Sequence, residues 1–413
     1  MKNITGMIFG ATMAGLIGST AIAAENIKIA FIDPLSGPFA TTGTNGLAEW
    51  KFAVEKLVND KGGVLGGTMF EIVAFDNKIS PKESLIQLQV AIDQGIRFIA
   101  QGNSSGVANA LTVAIKKHNK RNPDKRVLFI NYSAVDPALT NDKCNFWHFR
   151  FDANADIKMD ALTDVIAANK SIDKIYLIGQ DYSFGKAVAA AAVKYIGKKM
   201  PNTKIVGNEL HPIGKVKDFT PYARKIMASG ANAVITGNWG SDMVGLGKAV
   251  IQAGYKGPIF TYYAASNGIT KIFGAQGKGV IRLVAEGALN PPASQRASDY
   301  INAFEAKYPD HDISQARIAN AAEMLAKAID KAGSTDVIKI AYALEGMEHD
   351  SIWGGKVTMR ASDHQAIQDV HIQAHTDENI THPLDNSKFG LLKENTVVNA
   401  AMDSPTTCKM VRP

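Results

Sequence analysis

The sequence predicts an α/β fold of two Rossmann-like lobes, each a parallel sheet flanked by helices. Three observations carry this. Short apolar runs alternate with longer amphipathic ones, they do so in two successive series, and the 413 residues exceed what one hydrophobic core usually supports. The first series reads as strand 27–32, helix 46–59, strand 69–75, helix 81–94, strand 96–101, helix 107–118 and strand 126–131. The second reads as helix 157–168, strand 174–178, helix 185–196, strand 204–210, helix 222–228, strand 233–236, helix 241–253 and strand 258–262. Two further helical stretches follow within 299–333, then extended segments at 356–359 and 369–373. These late pieces are too few for a third domain and are expected to return and complete the two earlier sheets. Tandem open sheets imply a cleft between them, with functional residues just after the carboxyl ends of strands.

The first 24 residues read as a cleaved secretory signal peptide. Lys2 supplies a positive start, residues 4–23 are apolar or small, and Ala21-Ile22-Ala23 provides the small-x-small cleavage pattern. A retained anchor would need about 20 strongly apolar residues, whereas Thr5, Gly6, Gly10, Thr12, Gly15, Gly18, Ser19 and Thr20 interrupt this stretch. No cysteine follows the small residues to carry a lipid. The rest, 46% hydrophobic and 20% charged across the chain, is ordinary globular composition. The net charge of +6 includes Lys2 and is dispersed. The cluster Lys116, Lys117, Lys120, Arg121, Lys125 and Arg126 has no interleaved aromatics, so it reads as a solvated face and nucleic acid is not expected as a partner. Cys144 and Cys408, an even count in an oxidising compartment, are expected to pair.

Gly102-Asn103-Ser104-Ser105-Gly106 follows a strand and opens a helix. Its G-x-S-x-G spacing fits a nucleophile elbow with Ser104 as a hydrolase serine, but no glycine-rich oxyanion loop precedes it. The same segment serves without catalysis as an anion site, from helix N-terminal N–H groups and two hydroxyls. His371 and His375 lie on strand-like sequence, about 13 Å apart at strand rise, too far to share a metal; no metal or cofactor is expected. Gly245-Leu246-Gly247 lacks the third glycine of a dinucleotide fingerprint and reads as packing. Tyr182, Phe184, Trp239, Tyr262 and Tyr263 all follow strands of the second series, where a flat or apolar ligand would be gripped.

Several motifs in order resemble the leucine/isoleucine/valine-binding protein family of ABC-transporter receptors. They are Asn26-Ile27-Lys28-Ile29-Ala30-Phe31, Pro34-Leu35-Ser36-Gly37-Pro38 with Gly43, and Ser133-Ala134-Val135-Asp136-Pro137-Ala138-Leu139-Thr140. Asp181-Tyr182-Ser183-Phe184-Gly185, Gly237-Asn238-Trp239 and Lys256-Gly257-Pro258-Ile259 complete the series, which extends from residue 26 to about 375. The resemblance implies a type I periplasmic binding protein with three hinge crossings, near 148–150, 285–289 and 354–356. Lobe I would then comprise 25–148 plus about 286–354, lobe II 149–285 plus about 355–395, and 396–413 a C-terminal tail.

Carried over residue by residue, the resemblance implies that Ser104 or Ser105 holds a ligand carboxylate, assisted by the loop Ser133, Ala134 and Val135. Val135 stands where the family's amino-acid binders have a threonine. Phe184 and Trp239 stand at the positions of two pocket tyrosines. Tyr263 stands where the family has the glutamate that neutralises the ligand's α-ammonium. An ammonium desolvated without a counter-charge is costly, so the expected cargo is an aromatic or keto acid instead of a standard α-amino acid. The resemblance implies a monomeric periplasmic receptor, not an enzyme, that delivers a small-molecule ligand to inner-membrane permease subunits. A secreted serine esterase using Ser104, or a sensor for a membrane signalling partner, are the alternatives.

Overall fold

The computed structural model describes Met1 and residues 25–265, 268–400 and 405–413; the leader assigned to residues 1–24 lies, apart from Met1, outside the described residues. The first lobe opens with β1 (Ile27–Asp33), α1 (Ala40–Leu57), β2 (Phe70–Asp76), α2 (Pro81–Asp93), β3 (Phe98–Gln101), α3 (Ser105–Arg121), β4 (Leu128–Asn131) and β5 (His148–Arg150). Its sheet is parallel throughout, in the order β2-β1-β3-β4-β5. Every residue of β3 and β4 is buried, as a parallel strand covered on both faces requires. Ser80 caps α2 by accepting from the Glu83 N–H at 3.3 Å, with Pro81 in the first turn.

Helix α1 starts at Ala40, six residues before the position read from sequence. Thr41, Thr42 and Gly43 are poor helix formers, and packing overrides them: a Cβ on Gly43 would stand 1.7 Å from the Pro34 carbonyl oxygen, so only glycine lets this turn seat against β1's outgoing loop.

The second lobe follows with α4 (Ala155–Ala168), β6 (Lys174–Gln180), α5 (Ser183–Lys199), β7 (Lys204–His211), α6 (Thr220–Ala228), β8 (Ala233–Thr236), α7 (Gly240–Gln252), β9 (Ile259–Thr261), α8 (Ile269–Phe273) and β10 (Ile281–Ala285). Gly245-Leu246-Gly247 lies inside α7, facing the rings of Phe219 and Phe273. The chain then returns to the first lobe through α9 (Gln295–Lys307), α10 (Arg317–Ala332) and α11 (Val337–Leu344). A small antiparallel sheet of β11 (Glu348–Asp350), β12 (Lys356–Met359) and β13 (Ala366–Ile367) comes next. Last are β14 (Val370–Thr376), antiparallel to β10, and β15 (Gly390–Val397), antiparallel to β14, which extend the second sheet to give β15-β14-β10-β9-β8-β6-β7.

The third passage between lobes differs from the expected 354–356. Val357, Met359 and Ala366 belong to the first lobe's core, whereas Val370 and Ile372 belong to the second's. The changeover therefore falls between Ile367 and Val370. The extended character of 356–359 was legible, but its partner is β11, not the second sheet. The tail also departs from expectation: residues 396 and 397 belong to β15.

Beyond β15 the chain passes once more to the first lobe. Thr406 donates to the Thr140 carbonyl at 3.0 Å and Arg412 to Glu345 at 2.9 Å. Cys408 is disulfide-bonded to Cys144, with Cα atoms 5.7 Å apart and a sequence separation of 264. Loop-closure entropy grows slowly with length, so a ring of this size contributes up to about 5 kcal/mol. A Cys144→Ser, Cys408→Ser double variant is therefore expected to unfold at a lower guanidinium concentration. A midpoint unchanged from the parent chain would refute this.

Candidate functional site

The sheet orders locate the site before any side chain is considered. In the first lobe the strand order reverses between β1 and β3, in the second between β6 and β8; ligand crevices open at such switch points, beyond the carboxyl ends of the strands. The segments leaving these strands, at 102–105, 182–184 and 239–240, line one inter-lobe cavity of about 620 Å³ counted out to its mouth.

Two buried carboxylates build the first lobe's wall. Asp33, the last residue of β1, accepts from the backbone N–H groups of Gly102 at 3.0 Å and Asn103 at 2.9 Å, and from the Tyr132 hydroxyl. Burial pushes its pKa up to about 7 against the pull of these donors. Glu49 does the same for the opposite loop, accepting from the N–H groups of Ser314 at 3.1 Å and Gln315 at 2.9 Å; burial pushes it, too, up to about 7.

Held by Asp33, the 102–105 loop leaves Ser104 at φ 80° and ψ 111°, a left-handed-side conformation for a residue with a side chain. Such strain costs about 1–3 kcal/mol and concentrates where a site needs it. Ser104 makes no side-chain cap to α3 although it stands at the N-cap, so its hydroxyl is not committed to the helix. The neighbouring Ser105 hydroxyl accepts from the Asp136 N–H at 3.2 Å.

Of the residues singled out from sequence, Ser104, Ser105, Ser133, Val135, Phe184, Trp239 and Tyr263 all line this cavity. Ala134 does not: it is buried behind the wall, its N–H held by the Asn131 side chain at 2.7 Å. On the second lobe the Trp239 indole donates to the Tyr182 hydroxyl at 2.9 Å, and Phe184 sits with its ring centroid 5.7 Å from Tyr262 and 5.8 Å from Tyr263. The two lobes are in contact. Phe39, from the first lobe, packs with its centroid 4.3 Å from Trp239. Gly240 takes φ +57° with room for no Cβ beside that ring, since one would lie 2.7 Å from it.

Sequence reasoning missed the residue that sets the cavity's charge. Arg317, at the start of α10, lines the wall and donates from Nη2 to the Ser133 hydroxyl at 2.6 Å and from Nε to the Tyr132 carbonyl at 2.6 Å. Behind it lies a fully buried ionic cluster. Asp152 contacts Arg317 Nε at 3.0 Å and Lys158 Nζ at 2.7 Å; Glu286 contacts Lys158 at 3.1 Å and Arg317 Nη1 at 3.5 Å. Tyr263 donates towards Asp152 at 3.1 Å and the Ser133 carbonyl at 3.2 Å. The only sequence signal for Arg317 is a lone basic residue opening an apolar helical stretch, which is equally the mark of a solvated helix end.

Among the described residues, no histidine, aspartate or glutamate lines the cavity. The esterase reading of Ser104 thus lacks a base on the cavity wall. No group of three or more candidate metal ligands occurs among the described residues, and His371 and His375 bond separately, to Thr396 and the Gly274 carbonyl. A cavity polar on one side and aromatic on the other, roofed by two lobes on a shared hinge, defines a receptor that captures a solute without transforming it.

The chain belongs to the periplasmic binding protein family, which matches residues 26–378. It is a type I member of the branched-chain amino acid ABC transporter kind, a receptor and not an enzyme. It is 32% identical over 413 residues to the Leu/Ile/Val-binding protein homolog 4 of Brucella melitensis biotype 1, with 96% of each chain covered. Its structure matches the closed conformation of the leucine-, isoleucine-, valine-, threonine- and alanine-binding protein from Brucella ovis with a TM-score of 0.82 at 29% identity, covering 94% of this chain and all of that one. A solute-binding protein from R. palustris in complex with benzoate shares the fold at a TM-score of 0.78 and 17% identity, covering 93% and 99% of the two chains.

The cluster makes stability depend on acid. Burial alone would raise the Glu286 carboxyl, but Lys158, a hydrogen bond with Asp152 and Arg317 together more than offset it and hold the pKa at about 2, below the ordinary 4.5. A depressed carboxyl contributes stability that is fully present above its unfolded pKa and is lost as the folded value is approached from above. The contribution of this group should therefore fall between about pH 4.5 and pH 2, opposed at higher pH by Asp152, whose carboxyl burial pushes up to about 7 so that its own contribution is lost as pH rises. A Glu286→Gln variant, destabilised at neutral pH, should lose that component of the acid dependence. An unaltered acid profile in urea titrations would exclude the assignment.

Proposed function

We propose that this receptor captures a small organic carboxylate lacking an α-amine, an aromatic or keto acid, in its inter-lobe cleft and presents it to an inner-membrane permease. One observation carries this reading: among the described residues, the cavity wall holds Arg317 and four serines but no carboxylate. An α-ammonium entering it would lose its water without gaining a counter-charge. Tyr263, where the family's glutamate stands, already directs its hydroxyl to Asp152 and the Ser133 carbonyl.

The carboxylate is expected at the lobe I wall, among Ser104, the N-terminus of α3 and the Ser133–Arg317 pair; a helix N-terminus and a guanidinium are both suited to an anion. The body of the ligand is expected between Phe184, Trp239 and Tyr262, whose flat faces suit a ring or a branched chain. The relative from Brucella ovis is described as binding leucine, isoleucine, valine, threonine and alanine, and the R. palustris protein holds benzoate, so the fold serves both chemistries in other chains. The leader at 1–24 would deliver the receptor to the periplasm. Closure on the ligand would create the surface a permease reads.

Titration calorimetry with benzoate, 4-methyl-2-oxopentanoate, leucine and valine tests the reading. The acids without an amine are expected to bind at least about tenfold more tightly than the amino acids. Ser104→Ala should weaken the tight ligand by about tenfold or more, the scale of a hydrogen bond to a charged group, without lowering the melting temperature of the unliganded protein. Tight leucine or valine binding, with none for the other acids, would overturn the proposal.

A further inference from the structure

A second cavity adjoins the first and has no role in the reading above. It measures about 410 Å³ counted out to open solvent and shares Ala265, Leu283, Ala285, Ser314 and Arg317 with the ligand cavity, so the two meet along that threshold. Its remaining apolar wall is Leu289, Ile313, Leu384 and Leu391. Leu283, Leu384 and Leu391 form an apolar cluster of their own, separate from both lobe cores.

Polar groups that reach this annex are already satisfied. Gln373 donates to the Gly287 carbonyl at 2.9 Å. The Asn290 amide donates to the His382 carbonyl at 2.9 Å and accepts from the N–H groups of Thr381 and His382. Glu286 faces Lys158, Arg317 and the Ala153 N–H. An occupant is therefore offered apolar surface and no unpaired donor. A second carboxylate there would meet Glu286. Leu384 and Leu391 come from the segment beyond residue 378, where the family match ends.

We infer that the annex is a second subsite, which takes the uncharged distal end of an elongated monocarboxylate whose head lies in the first cavity. The inference rests on the carboxylate reading above and narrows it. The cargo is longer than a single ring or a branched side chain, its far end is apolar, and dicarboxylates are rejected. An apolar tail gains about 25 cal/mol for each Å² it buries, so each methylene that crosses the threshold should tighten binding by roughly fourfold.

The test compares benzoate with 4-phenylbutanoate and with hexanedioate by calorimetry, on the parent protein and on Leu391→Phe and Leu391→Ala variants. Leu391 lines only the annex. The inference expects 4-phenylbutanoate to bind at least tenfold more tightly than benzoate and hexanedioate to bind weakly. Leu391→Phe should remove most of the advantage of length while leaving benzoate within about twofold. The Leu391→Ala variant should retain binding of both monocarboxylates. Benzoate binding with no gain for 4-phenylbutanoate in the parent protein would overturn the annex alone, even were the variants to misfold. A gain that survives Leu391→Phe in a folded variant would do the same. Failure of both monocarboxylates to bind would overturn the carboxylate reading itself.

Discussion

The buried ion cluster of Arg317, Asp152, Lys158 and Glu286 is the constraint on which the remaining features turn. Asp152 lies just beyond β5, where the chain first leaves lobe I; Glu286 lies just beyond β10, where it returns; Lys158 stands on α4 and Arg317 on α10. Two passages between lobes and one helix from each side therefore meet in four charges. Desolvating them is expensive, and removing one partner leaves an uncompensated charge, at a cost of about 3–5 kcal/mol. A nonpolar replacement would hold the hinge as well, but it would not present a guanidinium to the cavity.

The same arrangement explains the division of labour between the walls. Lobe I supplies hydroxyls, a helix N-terminus and the Arg317 head, each fixed by a buried acceptor such as Asp33 or Glu49. Lobe II supplies rings, fixed by one another and by the Trp239 bond to Tyr182. A carboxylate of the proposed kind held by the first wall alone would leave the rings wet, and one held by the second alone would leave its charge unmet. On that proposal only the closed arrangement would satisfy both, so affinity and lobe closure would be one free-energy change.

Much of this was legible in the chain. The two βα series follow from periodicity, and the wall residues after strands follow from where parallel sheets open. Ser104, Phe184, Trp239 and Tyr263 were found that way and by family resemblance. Arg317, Asp33 and Glu49 were not. Their importance lies in burial, and burial of a polar residue is set by tertiary contacts that local sequence does not encode. Helix α1 was read short because Thr42 and Gly43 disfavour helix locally while packing on Pro34 demands it. The strand β15 escaped because Lys393, Glu394 and Asn395 give an edge strand the polarity of a loop. The third passage was placed too early because strand character at 356–359 does not reveal which sheet will accept it.

The fastening of Cys408 to Cys144 has a mechanical consequence. Ile27 opens the first lobe's sheet, and Arg412 is anchored on the same lobe through Glu345. Ile27 and Arg412 thus both ride on lobe I. A probe or surface tether at either position would report on, or immobilise, lobe I alone. Lobe II would remain the moving jaw.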